Sequence, residues 1–119
     1  MNMQVYFVGL HQFDPMIQFI VHYGLHLLFP GAIAYLFFKP IWKTAWLIMV
    51  FTMLIDLDHL LANPVFDPNR CSINFHPLHT SYALVLYLIL LFPKKTRIVA
   101  VGLLLHLLTD YLDCLMMGI

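Results

Sequence analysis

Apolar residues run along this chain in four stretches, and the polar residues that interrupt them recur at spacings of three and four, the period of a helix. Asp14-Pro15 reads as a helix start, with the carboxylate capping and proline at the first helical position. The pattern predicts helices over about 15–38, 41–61, 77–92 and 98–117, with a short interfacial segment at 1–13. Pro30 should kink the first, Asn63-Pro64 should stop the second, and Pro93 should close the third, which is barely long enough to span. Between the second and third lies the one long loop, 62–76, rich in proline and asparagine. Gln18, His22 and His26 share one face of the first helix. Gly102, His106, Asp110 and Asp113 form a small-and-polar stripe on the last.

The polar residues matter because so little else is polar. Of 119 residues 62% are hydrophobic and 10% charged, which excludes an ordinary soluble domain and predicts a single all-α domain, an integral membrane four-helix up-down bundle. All six acids are aspartates and there are seven histidines, a balance suited to metal or proton chemistry. Zero net charge with six scattered cations excludes a nucleic-acid surface. Cys71 and Cys114 are too few for a thiolate metal site, and they pair only if both lie on an oxidising face.

Lys39, Lys43, Lys94, Lys95 and Arg97 occupy the first and third turns, whereas the second loop has Arg70 alone. Positive charge marks the cytoplasmic side, so both termini and the long loop should lie outside. The alternation of an up-down bundle then fixes the depth of every polar residue. His22, His26, Asp56, Asp58, His59, His76, His79, His106, Asp110 and Asp113 all fall in the outer half.

One such residue could simply pair helices. Ten together would set acceptor against acceptor unless cations or shared protons sit among them. Nitrogen and oxygen donors in this number suit two or more divalent ions, zinc first, with manganese or iron as alternatives. The expected metal ligands are His22, His26, Asp56, His59, His76, His79, His106 and Asp110. Asp56 and His59 share a face at i, i+3, while on an α-helix Asp58 is rotated roughly 200° from Asp56 and should play a different part, as bridging ligand or base. Asp113 or Thr80 could orient ligands, and His11 could cap the mouth of the site.

Asp56-Leu57-Asp58 and His106-Leu107-Leu108-Thr109-Asp110 resemble the Pro-Asp-x-Asp and Ser-His-x-x-x-Asp blocks of the YdjM-like membrane-bound metal-dependent hydrolases, proteins grouped with zinc phospholipase C and P1-type nuclease folds. More closely, the chain resembles a family of small bacterial membrane proteins with a Phe-His-Pro-Leu-His block, here Phe75-His76-Pro77-Leu78-His79. The resemblance implies a bacterial inner-membrane protein that hydrolyses a phosphoester such as a phospholipid or lipid-linked phosphate. Asp56 and Asp58 would act at the reacting centre and Arg70, the lone outer cation, would hold the substrate phosphate. His22-x-x-x-His26 and His76-x-x-His79 also imitate parts of the histidine boxes of di-iron oxygenases. A third expectation is a non-enzymatic metal-binding or ion-relay protein. The bilayer is the expected partner, and a bundle this small could form a homodimer.

Overall fold

The computed structural model describes residues 13–118, so the expected interfacial segment, Phe13 apart, and His11 lie outside the described residues. Among the described residues the chain is helical with no strands. The first arm is α1 (Pro15–Leu27) followed by α2 (Phe29–Phe37). Asp14 caps α1 as its sequence predicts, its carboxylate accepting from the backbone N–H of Met16 at 2.8 Å and of Ile17 at 3.3 Å. The arm breaks at Leu28, where Pro30 removes a backbone donor and its ring would press on the preceding turn. Trp46 Nε1 donates to Leu27 O at 2.7 Å at this break. Gly31 lets the indole lie there, since a Cβ would meet Trp46 at 3.1 Å.

The second arm departs from expectation. α3 covers Trp42–Phe51, but Thr52–Leu61 winds as a 3-10 helix. Such windings have poorer hydrogen bonds and rarely exceed three or four residues, so ten in succession must be held by what their side chains touch. Burial follows the three-residue period. Leu54, Leu57 and Leu60 all face outward; Thr52 and Asp58 are buried with Ile55 half-buried between them; Met53, Asp56 and His59 form a third, half-buried row.

The third arm is a 3-10 turn, Pro77–His79, then α4 (Ser81–Ile89), shorter than the expected 77–92. Extended backbone at His76 and Thr80 separates the turn from the helix, and Thr80 caps it, accepting from Ala83 N. Past Ile89 the chain turns. Thr96 Oγ1 donates to Leu90 O, and the Arg97 guanidinium to Leu91 O and Phe92 O. At 1.5 Å per residue α4 is about 13 Å long, under half the roughly 30 Å hydrocarbon thickness. α5 (Arg97–Met116) completes the bundle. Pro15–Phe37, Lys39–Leu61 and Arg97–Met116 are each long and apolar enough to cross a membrane.

α5 is the central element. Beside α2 and α3 it closes on Ala34, Ala45 and Met49, and beside α4 its Leu103 and Leu107 pack on Ala83 and Tyr87. At Gly102 it approaches closest, where a Cβ would lie 2.8 Å from Met49 Cα and from the Thr52 methyl. Phe13 N donates to Met116 O and Cys71 is disulfide-bonded to Cys114, with Cα atoms 5.2 Å apart. The start of α1, the long loop and the end of α5 therefore gather at one end of the bundle.

Candidate metal centre

Four donor atoms meet where α5, the 3-10 segment and the Pro77–His79 turn converge. His79 Nε2 lies 3.2 Å from Asp56 Oδ1, 3.0 Å from Asp110 Oδ2 and 3.2 Å from His106 Nε2. His106 Nε2 in turn lies 3.1 Å from Asp56 Oδ1 and 3.2 Å from Asp110 Oδ2. The side chains of His79, His106 and Asp110 are no more than 7% exposed, whereas that of Asp56 is 37% exposed and gives the group its one open side. Asp56, His79, His106 and Asp110 could together hold a metal ion. Without a metal ion, the two ring nitrogens and two carboxylates would have to be reconciled by shared protons.

His79 is set by its other nitrogen. Asp58 Oδ2 accepts from His79 Nδ1 at 3.0 Å and from Leu78 N at 2.8 Å, and the Tyr87 hydroxyl donates to Leu78 O. With the hydrogen on Nδ1, a neutral ring would direct its Nε2 lone pair at the other donors. Asp58 is thus no distant residue. The 3-10 winding advances each position by about 120° and not 100°, which narrows the angle between Asp58 and Asp56 from about 160° to about 120° and lets both reach His79.

A second group adjoins the first through Asp110, whose Oδ1 lies 3.1 Å from His26 Nε2. His22, His26 and Asp110 could also hold an ion. His22 Nδ1 is buried without a hydrogen-bond partner and stands 3.6 Å from Asp113 Oδ1, which accepts from the Gln18 amide at 3.0 Å. His106 Nδ1 is likewise buried and unpartnered.

The third group is Asp58, His59 and His76. The His59 and His76 rings stack with centroids 3.7 Å apart. Burial first, and then the neighbouring His59, hold His76 below the ordinary imidazole pKa. All eight expected metal ligands fall in these three groups, with Asp58 as a ninth member. Arg70 is in none. Its guanidinium donates to Pro64 O at 2.9 Å and Val65 O at 3.1 Å and lies over the Phe75 ring, bracing the long loop. Thr80 donates to Pro77 O and caps α4, while Asp113 does stand behind a histidine. Ser72, which no sequence pattern singles out, brings its hydroxyl to 3.5 Å from His59 Nε2.

No curated protein and no solved structure matches the chain. A family model does match, over residues 16–117, and the chain accordingly belongs to that family, the family of unknown function DUF6122.

Proposed function

We propose that the protein is a membrane-embedded, metal-dependent hydrolase of a phosphoester carried by a lipid, with two or more divalent ions, zinc foremost, in the Asp56, His79, His106, Asp110 group and the adjoining His22, His26, Asp110 group. The observation that carries the reading is the set of five donor separations between 3.0 and 3.2 Å among Asp56, His79, His106 and Asp110. In a regular tetrahedron with edges of about 3.1 Å the centre lies about 1.9 Å from each corner, just inside the roughly 2.0–2.2 Å that zinc keeps to histidine nitrogen and carboxylate oxygen. Asp110 presents one oxygen to this group and the other to His26, so it would serve both groups.

An ion held there would supply Lewis acidity, lowering the pKa of water and polarising a phosphoryl oxygen. The chain does the rest. Asp58 orients His79, Asp113 stands behind His22, and the half-exposed Asp56 marks the side from which substrate arrives. A cleft of about 250 Å³ between Leu84 of α4 and Leu104, Leu107 and Leu108 of α5 reaches the back of His79 and suits an apolar ligand. The resemblance of the Asp56 and His106 blocks to membrane-bound hydrolases favours a phosphoester. The disulfide favours the same non-cytoplasmic side for the site as the cation count does.

Elemental analysis of detergent-purified protein tests the site. We expect at least two zinc or manganese ions per wild-type chain and their loss in a His79→Ala, Asp110→Ala double variant, followed by hydrolysis of a phospholipid or lipid-linked phosphate that Asp56→Ala abolishes. No stoichiometric metal after reconstitution would leave a proton-sharing polar core and end the metal reading. A metal-loaded protein that cleaves no phosphoester would end the hydrolase reading alone.

A further inference from the structure

The third group of side chains carries a different chemistry. His59 Nδ1 faces the backbone carbonyl of Asp56 at 3.0 Å and Asp58 Oδ1 at 3.2 Å, with Asp56 Oδ1 at 3.7 Å. Everything on that side of the ring is an acceptor, so Nδ1 holds the hydrogen and Nε2 keeps its lone pair. Nε2 faces one hydroxyl, that of Ser72 at 3.5 Å, whose O–H can donate to it. The imidazole cannot swing away, because His76 lies flat against it at 3.7 Å. Asp58 cannot serve as the proton acceptor in place of His59, because its Oδ2 already accepts from Leu78 N and His79 Nδ1.

A hydroxyl, an imidazole directed at it, and a carboxylate behind the imidazole are the three parts of an activated nucleophile, and such contacts are commonly longer in the free protein than in the reacting complex. We propose that Ser72 is a nucleophile toward a carboxylic ester, that His59 is its base and acid, that Asp58 is the positioning residue behind His59, and that the ester belongs to a membrane lipid. The surroundings support the last point. Leu60, Leu61, Val65, Phe66 and Phe75 flank His59 and Ser72 in sequence and expose 46–79% of their surfaces, an apolar surface on the same segments that suits a lipid chain. Ser72 and His59 themselves are half-buried.

In the step, Ser72 Oγ forms a bond to the ester carbonyl carbon while its proton passes to His59 Nε2. The bond from that carbon to the alcohol oxygen breaks, and the alcohol leaves with the proton from His59. Water then attacks the acyl-serine, gives its proton to His59, and releases the carboxylic acid as Ser72 Oγ recovers a proton. None of this requires an ion at Asp56, His79, His106 and Asp110, so the inference stands apart from the hydrolase reading above.

The test uses the full chain in detergent, oxidised, with a fluorophosphonate probe that labels activated serines. One adduct is expected, mapped by mass spectrometry to Ser72. It should be absent from Ser72→Ala, present in Ser81→Ala, and formed about 100-fold more slowly or worse in His59→Gln. Far-ultraviolet circular dichroism should show the variants folded, and the metal content of Ser72→Ala should equal that of wild type. No adduct on the folded wild-type chain, an adduct that survives Ser72→Ala, or labelling of His59→Gln at the wild-type rate would overturn the proposal. So would loss of one ion on His76→Ala, since His59 and Asp58 would then be metal ligands; elemental analysis of the same samples separates that outcome from failure of the four-donor site.

Discussion

α3 and the 3-10 segment lie end to end on one arm, both rich in leucine, isoleucine and methionine, yet they are held in place by opposite means. In α3 a single inward stripe, Ala45 and Met49, is spaced i, i+4 and packs against α2 and α5 through small and flexible apolar residues. In Thr52–Leu61 the period tightens to three, and two adjacent rows turn toward α5 and the Pro77–His79 turn, one ending in Asp58 and the other carrying Asp56 and His59. An α-helix would present one such row. The tighter winding presents two, and so three polar residues within four positions all reach the same site. In a membrane, where helices gain from close packing but not from a hydrophobic drive against lipid tails, it is polar contact that can hold an arm in an unfavourable winding.

The sharpest way to break this contrast is Asp110→Ala. Asp110 touches His26, His79 and His106 at 3.0–3.2 Å, and its loss leaves three buried imidazoles without their shared carboxylate. We expect bound metal to fall to background and stability to drop by about 3–5 kcal/mol, the cost of removing one partner from a buried charged network. Elemental analysis with thermal unfolding in detergent reads both. If Asp110→Ala unfolds no earlier than wild type, polar contact is not what holds the 3-10 segment.

Gly102→Ala attacks the junction of the two windings. A Cβ there would lie 2.8 Å from Met49 Cα in α3 and from the Thr52 methyl in the 3-10 segment, and neither the backbone nor a branched residue yields easily. Overpacking of this kind costs about 1–3 kcal/mol. Because the added methyl must push the 3-10 segment away from α5, metal retention under a chelator should fall along with the unfolding temperature. Retention at the wild-type level would mean that the two halves of the arm move independently.

Asp58→Asn acts on one row alone. The amide can still accept from Leu78 N, but it lacks the carboxylate charge that would make His79 a stronger ligand. Loss of such an outer partner weakens metal binding by about 10- to 100-fold, about 1.4–2.8 kcal/mol, and competitive chelation should read that range. Wild-type affinity would remove Asp58 from the support of the metal centre.

Much of this was legible in the residues. The rows Gln18, His22, His26 and Gly102, His106, Asp110, Asp113 keep an α period through apolar helices, and the alternation of an up-down chain brings them to one end. The winding of Thr52–Leu61 was not legible, because ten residues of Thr, Leu, Ile, Met, Asp and His carry no preference for three residues per turn; what selects it lies on α5 and on the turn, distant in sequence. That is why Asp58 reads as turned away from Asp56 and is found reaching the same histidine, His79. Nor could spacing reveal the Cys71–Cys114 bond, the bracing of loop carbonyls by Arg70, or the approach of Ser72 to His59, each set by how the long loop folds back over the end of α5.

The smallest expected effect lies at the other end of the arm and completes the contrast. Trp46→Phe keeps an aromatic ring over Gly31 but removes the indole N–H that donates to Leu27 O at the break between α1 and α2. Leu28 N already donates to Gly24 O, and Pro30 offers no N–H, so few local donors can replace the indole. The loss should lower stability by about 0.5–1.5 kcal/mol, the net worth of one hydrogen bond. Metal content should not change, because Trp46 packs with Ala34, Ala45 and Met49 and touches none of the donor groups. A small loss of stability with full metal occupancy would confirm that α3 serves as packing while the segment after Phe51 serves the site; a loss of metal would show that the α1–α2 break positions His22 and His26, and that the site depends on both halves of the bundle.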